Sequence, residues 1–180
     1  MSFLSEGKEK ELSVSKLFDN PIFSLADTDK TQHWDFKSNE IKYDVKGLKR
    51  VNRSDNEPNE SFHYIEIKNV NGRHGWLYGD ADCFIFETFK YWIVVPKYKL
   101  QSFVKLNIKK TYVTSPDECL YCLYKRDGKK DVITMVTTID LMFLASEIKV
   151  KIDNIYEHAI GDSVIPEKRL KQRLSSIKLK

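Results

Sequence analysis

Cysteine is scarce in this 180-residue chain, with Cys83, Cys119 and Cys122 making up the whole set. An odd and small number argues against a disulfide framework. Cys119 and Cys122 have the spacing of a metal knuckle. No second Cys or His pair accompanies them, and they lie in an apolar, strand-like run, so packing is their expected role. Long apolar stretches are missing as well. No run reaches the roughly 20 residues needed to cross a bilayer, and no membrane partner is expected. The first residues turn charged at once instead of forming the hydrophobic region of a secretory signal, so an intracellular, cytoplasmic protein is expected. Internal repeats and convincing linkers are absent too. The composition is that of an ordinary soluble globular protein, 41% hydrophobic and 31% charged, and long enough to bury one real core.

The formal net charge of +4 is mild, but its distribution is uneven. Lys46, Lys49, Arg50 and Arg53 cluster in one stretch, and basic residues crowd the tail from Lys168 to Lys180. Such clusters suit a polyanionic partner, although a tail of this kind is also an ordinary solubilising surface.

Residues 33–50 read as a two-stranded hairpin. The first arm is 33–37, Ser38 and Asn39 make the turn, and the second arm is 41–48. Period-two alternation puts Ile41, Tyr43 and Val45 on one face and Lys42, Asp44 and Lys46 on the other. Asp35 on the first arm then faces Asp44 across the pair. Like charges held close are costly unless a cation neutralises them. Hard divalent cations take oxygen ligands, so Asp35 and the Asp44-Val45-Lys46 tripeptide form a candidate metal-dependent phosphodiesterase site.

Around this hairpin the chain alternates helical and strand-like patterns. A helix is expected over 5–18, with Ser5 as N-cap and Glu9 and Glu11 along it. Residues 52–61 read as a polar loop beside the site. The strand at 62–70 carries a second acidic-x-Lys element, Glu66-Ile67-Lys68. A glycine-punctuated segment follows over 71–79, where three glycines imply specific turns or a close backbone approach. Its Arg73 and His74 are candidate phosphate contacts. Its Trp76 and Tyr78 suit stacking on bases or plain packing. A hairpin over 83–87 and 91–95 is expected to lie centrally in a sheet, because its second strand is almost wholly apolar. A helix over 98–105, a hairpin over 119–125 and 131–138 with an Asp-Gly turn, and a helix over 139–147 come next. The chain closes with a basic amphipathic helix over 166–177.

A Glu-bearing helix, then a lone Asp, then Asp-x-Lys on the next strand resembles the PD-(D/E)xK nuclease superfamily. That superfamily includes restriction endonucleases and archaeal-type Holliday-junction resolvases. Asp35 matches the lone acid, Asp44-Val45-Lys46 the tripeptide, and Glu11, or Glu9, the helical glutamate. The wider pattern of His33-Trp34-Asp35, Glu66-x-Lys68 and Gly72-x-x-Gly75-Trp76-Leu77-Tyr78-Gly79 is also similar to phage-encoded proteins of this kind. The proline that often precedes the lone acid is absent, and Trp34 stands in its place.

The resemblance covers roughly residues 5–105 and carries definite expectations. The fold is α/β (α+β), a restriction-endonuclease-like mixed central sheet flanked by helices. The nuclease-like core spans 1–110, with a C-terminal extension over 111–180 packed on it and a basic tail over 166–180. The activity is hydrolysis of DNA phosphodiesters with Mg²⁺ or Mn²⁺, possible in an infected host cell if the chain is phage-encoded. Asp35, Asp44 and Glu11 would be metal ligands and Lys46 a catalytic residue. Lys49, Arg50, Arg53, Arg73, His74 and Trp76 would contact DNA, and a homodimer fits the group. A rival assignment gives the catalytic roles to Glu66 and Lys68, with Asp44 as the lone acid. The different class of reading is a non-catalytic protein on the same fold that binds nucleic acid or a host protein.

Overall fold

The structure, a computed structural model, describes residues 3–25, 32–52 and 54–151, with side chains from Gly7 onward. The described residues up to Lys149 belong to one compact unit. They form an α/β fold of two mixed sheets, with three helices among the described residues.

Helix α1 (Phe3–Ser15) opens the chain. It stops three residues short of the expected end. The chain turns there through Leu17 and Phe18, whose amides donate to Val14 and Ser15, and Asn20 takes a positive φ of 44° just before Pro21. The six-stranded sheet contains β1 (Ile22–Phe23), β2 (Phe36–Ser38), β3 (Ile41–Lys46), β5 (Cys83–Glu87), β6 (Tyr91–Pro96) and β10 (Glu147–Val150). Their spatial order is β1-β2-β3-β5-β6-β10. β3 and β5 run parallel, while β1–β2, β2–β3 and β5–β6 are antiparallel. β6 lies inside the sheet, as its run of Trp92 to Val95 requires, since a strand buried on both faces needs no polar alternation.

The four-stranded sheet holds β4 (Phe62–Lys68), β9 (Val132–Thr137), β8 (Leu123–Tyr124) and β7 (Tyr112–Val113), in the order β4-β9-β8-β7. Helix α2 (Lys97–Asn107) follows β6 directly. Helix α3 (Thr138–Leu144) follows β9 and starts with a reciprocal cap, in which the Thr137 hydroxyl accepts the Asp140 amide and the Asp140 carboxylate accepts the Thr137 amide. Both helices contribute to the core, in which Phe84, Phe86, Ile93 and Val95 pack with Ile65, Val136, Leu100 and Leu141. Each such side chain contributes roughly 2 kcal/mol by leaving water. A second cluster lies on the other face of the larger sheet. There Val14 of α1 packs with Phe36, Tyr43, Ile85, Trp92 and Val94.

Several expectations are corrected. The hairpin turn is Asn39–Glu40, one residue later than expected, and Ser38 ends the strand. Both turn residues lie in the left-handed region, at φ 48° and 64°, which is the geometry that matches strand twist in a two-residue loop. The hairpin expected over 119–125 and 131–138 shrinks to one pair, Tyr124 opposite Ile133. Tyr121, at φ 55°, breaks the strand, and Leu120 bridges Met135 in the parallel sense. The helix expected over 139–147 is present as α3 but ends at Leu144, and Glu147 already begins β10. The boundary expected near residue 110 does not divide the sheets, because β4 pairs with β9 and β10 joins the larger sheet. The helix expected over 166–177 and the basic tail lie outside the described residues. Among the described residues, no helix is long and apolar enough to cross a membrane.

Candidate active site

The ladder between β2 and β3 pairs Phe36 with Tyr43 and Lys37 with Lys42. The ladder ends at Phe36 and Tyr43, and the amide of Asp35, one residue before it, donates to the same Tyr43 carbonyl at 2.8 Å. Residues directly opposite on a ladder share a face. Phe36 and Tyr43 take the face under α1, which leaves Asp35, Asp44 and Lys46 to the other. In the parallel pairing with β5, Asp44 lies beside Phe84 and Lys46 beside Phe86, both in the core between the sheets.

Both aspartates are therefore buried, Asp35 at 7% and Asp44 at 3% exposure. The Val45 amide donates to Oδ2 of Asp35 at 2.5 Å. The Lys46 ammonium sits 2.6 Å from Oδ1 of Asp44 and 4.6 Å from the centre of the Trp76 ring, which places it between an anion and the negative face of an indole. The Asp35 carboxyl is pushed up to about 8, first by burial, then by the charges of Asp44 and Glu11, against the pull of the Val45 amide and Lys46. Glu11 is thus close enough to act electrostatically on Asp35 from α1. Glu9 lies on the same helix and is exposed.

This donor set suits a hard divalent cation. The charge of Asp44 raises the proton affinity of the buried Asp35, and a positive ion relieves such a cost. Mg²⁺ is ordinarily held by one or two carboxylates, with water and substrate oxygens filling its shell. Asp35 and Asp44 supply that pair. Among the described residues, no group of three or more His, Cys, Asp or Glu is placed so that it could hold a metal ion.

The competing acidic-x-Lys strand lies in the other sheet. The Glu66 carboxylate accepts the Trp76 amide at 3.2 Å and so anchors the 3-10 turn Trp76–Tyr78 to β4. Lys68 is exposed, and its backbone bridges to His74. The close approach implied by the glycines is backbone on backbone. A Cβ at Gly75 would stand 2.4 Å from the Glu66 carbonyl oxygen, so only glycine fits there. The Asp82 carboxylate accepts the Lys42 amide at 2.9 Å and ties the start of β3 to the approach of β5, a structural role. Cys119 is fully buried and its thiol is pushed up to about 12 by burial, in line with packing.

No protein family, curated protein or solved structure matches this chain.

The expected DNA contacts divide by position. Lys49 and Arg50 are exposed just beyond β3, and the Arg50 guanidinium donates to the Asp55 carbonyl at 3.2 Å. Arg73 and His74 are exposed on the turn after β4, with His74 edge-on to Tyr78. Trp76 is half-buried and packs edge-on against Phe84 at 4.8 Å, with Lys46 over its ring, so packing and lysine positioning occupy it. Arg53 lies outside the described residues.

Two residues near the site were not singled out in the sequence. The buried Glu87, at the end of β5, accepts the Leu48 amide at 2.9 Å and the Lys10 ammonium at 2.7 Å. It fastens α1 to the chain leaving β3. His63 is 5% exposed, packs edge-on against Phe86, and faces the space next to Lys46. The alternation of β4 did carry a signal for it, since His63 shares the buried face of Ile65.

Proposed function

We propose that the chain is a metal-dependent DNA endonuclease of the PD-(D/E)xK kind, with the larger sheet as a restriction-endonuclease-like core and branched DNA as its candidate substrate. The observation that carries this reading is the pair of buried, electrostatically coupled carboxylates, Asp35 and Asp44, with Lys46 two residues further along the same strand. Perturbed carboxylates of this kind cluster where chemistry is done. Asp35 and Asp44 would hold Mg²⁺ or Mn²⁺, with Glu11 adding negative charge from α1. When bound, the cation supplies an activated water and stabilises charge on the phosphoryl oxygens. Lys46, steered by Asp44 and Trp76, would orient the attacking water or balance charge that develops on the phosphate. Lys49, Arg50, Arg73 and His74 are exposed and suited to flanking phosphates, a salt-sensitive and sequence-independent contribution.

One observation favours the second reading, a non-catalytic protein that binds nucleic acid or a host protein. Lys46 already neutralises Asp44, and an Asp35 carboxyl with a value near 8 is largely protonated at neutral pH, so the pair is close to electroneutral without a metal. Incubation with plasmid, branched and single-stranded DNA in Mg²⁺ or Mn²⁺, against EDTA controls, separates the two. The nuclease requires cleavage that EDTA abolishes, whereas a gel shift without cleavage supports the binder. Lys46→Ala is expected to lower cleavage by about a hundredfold, in the range of a lost acid–base or charge-balancing group. Lys68→Ala, on the exposed edge of the other sheet, is expected to leave it within a few-fold of wild type. The reverse order would move the catalytic role to the Glu66 strand.

A further inference from the structure

A cavity of about 310 Å³ opens at the end of β3, lined among others by Lys46, Lys49, Phe62, His63, Trp76 and Phe86. Its walls come from both sheets and from the 3-10 turn, and the hydroxyl of neighbouring Tyr64 donates to the Val51 carbonyl at 2.8 Å, which holds the loop after Lys49 against it. The volume is at the small end for ligand pockets, roughly 300–1,000 Å³, and so suits one small group and not a duplex. Phe62, Tyr64, Trp76 and Phe86 are the aromatic part of the lining. His63 is its one deeply buried polar side chain. Its Nε2 is shut off from solvent and has no hydrogen-bond partner among the described residues, which is uncommon for a buried polar atom. Burial pushes the His63 imidazole down to about 4 despite the opposing charge of Glu87, so the ring is neutral at physiological pH and offers a single donor or acceptor at Nε2. Lys46 and Lys49 supply the positive charge.

We propose that this cavity receives one unstacked nucleobase, read by His63 Nε2, with the attached phosphate held by Lys46 and Lys49. The partly exposed rings of Phe62 and Tyr64 offer stacking surface to a flat heterocycle of any identity, one buried hydrogen-bonding group favours a base edge that complements it, and the lysines require that the heterocycle be joined to an anion. An enzyme that needs a base out of the stack discriminates for unpaired, mismatched or single-stranded positions, where extrusion costs least. The inference rests on the nuclease reading for the nature of the polymer and adds the subsite that selects within it.

The test is binding of the four deoxynucleoside 5′-monophosphates, with deoxyribose 5-phosphate and inorganic phosphate as controls, all in EDTA and followed by calorimetry and by the His63 ring resonances. At least one nucleotide is expected to bind about tenfold or more tightly than deoxyribose 5-phosphate, the contribution of one stacked base, and to shift the His63 signals. His63→Leu is expected to erase that margin, and Lys49→Ala to weaken nucleotides and inorganic phosphate alike. The proposal is overturned if no nucleotide binds more tightly than deoxyribose 5-phosphate, or if the His63 resonances do not move, a readout that holds even should His63→Leu fail to fold. Metal-dependent cleavage without base-dependent binding removes the pocket and leaves the nuclease. Base-dependent binding without cleavage leaves the pocket and removes the nuclease.

Discussion

Asp44→Asn is expected to reduce metal-dependent DNA cleavage by about a thousandfold, because a lost metal ligand forfeits transition-state stabilisation on the order of 4 kcal/mol. The substitution is nearly isosteric, so the packing beside Phe84 is retained. The carboxamide still offers an oxygen to Lys46, which is itself partly exposed and can reach water. The loss should therefore be one of rate and not of fold. Single-turnover cleavage in Mg²⁺, with circular dichroism as the control for structure, checks this. Wild-type rates in the folded variant would remove Asp44 from the mechanism. Asp44 is the informative position because both the Lys46 and the Lys68 assignments require it.

The second large effect is on stability. Asp35→Asn is expected to make the metal-free protein more stable than wild type, by on the order of 3–5 kcal/mol at pH 9, and equally stable at pH 4. Asp35 rises from its ordinary 3.8 to about 8 on folding. Between those values the folded chain keeps a proton that the unfolded chain has released. Stability associated with Asp35 is thus fully present below pH 3.8 and is lost as pH rises through 8, where a buried anion faces Asp44 and Glu11. Asparagine never carries that charge, yet it can still accept the Val45 amide. His63 acts in the opposite sense. Its value is lowered from 6.5 to about 4, so its contribution is present above 6.5 and lost as pH falls towards 4. That trend is common to both proteins and cancels in the difference. Urea unfolding in EDTA across pH 4–9 measures it, and parallel curves for the two proteins would contradict the assigned burial of an acidic Asp35.

Much of the larger sheet is legible in the chain because its information is local. The period-two alternation of Ile41 to Lys46 sorts apolar from charged side chains onto opposite faces, and a tight hairpin then brings Asp35 against the strand that carries Asp44, where its carboxylate accepts the Val45 amide. The β5–β6 hairpin is legible for the same reason. The turn between β2 and β3 slips by one residue because Glu40 accepts a left-handed conformation that its side chain does not advertise. What local pattern does not encode is partnership. β4 looks like the next strand of one sheet, yet it pairs with β9 in another, and only burial of Ile65 against Val136 and Phe86 decides this. That long-range choice also gives Trp76 its role. The Glu66 carboxylate and Gly75 draw the segment onto β4, which turns an indole that reads as a base-stacking surface into the support for Lys46. Glu87 and the pocket around His63 depend on three or more elements that meet at one end of β3, and no single stretch of sequence announces them.

The most direct test of a cation centre at Asp35 and Asp44 is Mn²⁺ binding to the metal-free protein, followed at pH 8 by the electron paramagnetic resonance of the free ion. One bound Mn²⁺ per chain, displaced by Mg²⁺ and lost in Asp44→Asn, is the predicted result. A wild-type protein that binds no Mn²⁺, or an Asp44→Asn variant that binds it equally well, would contradict it.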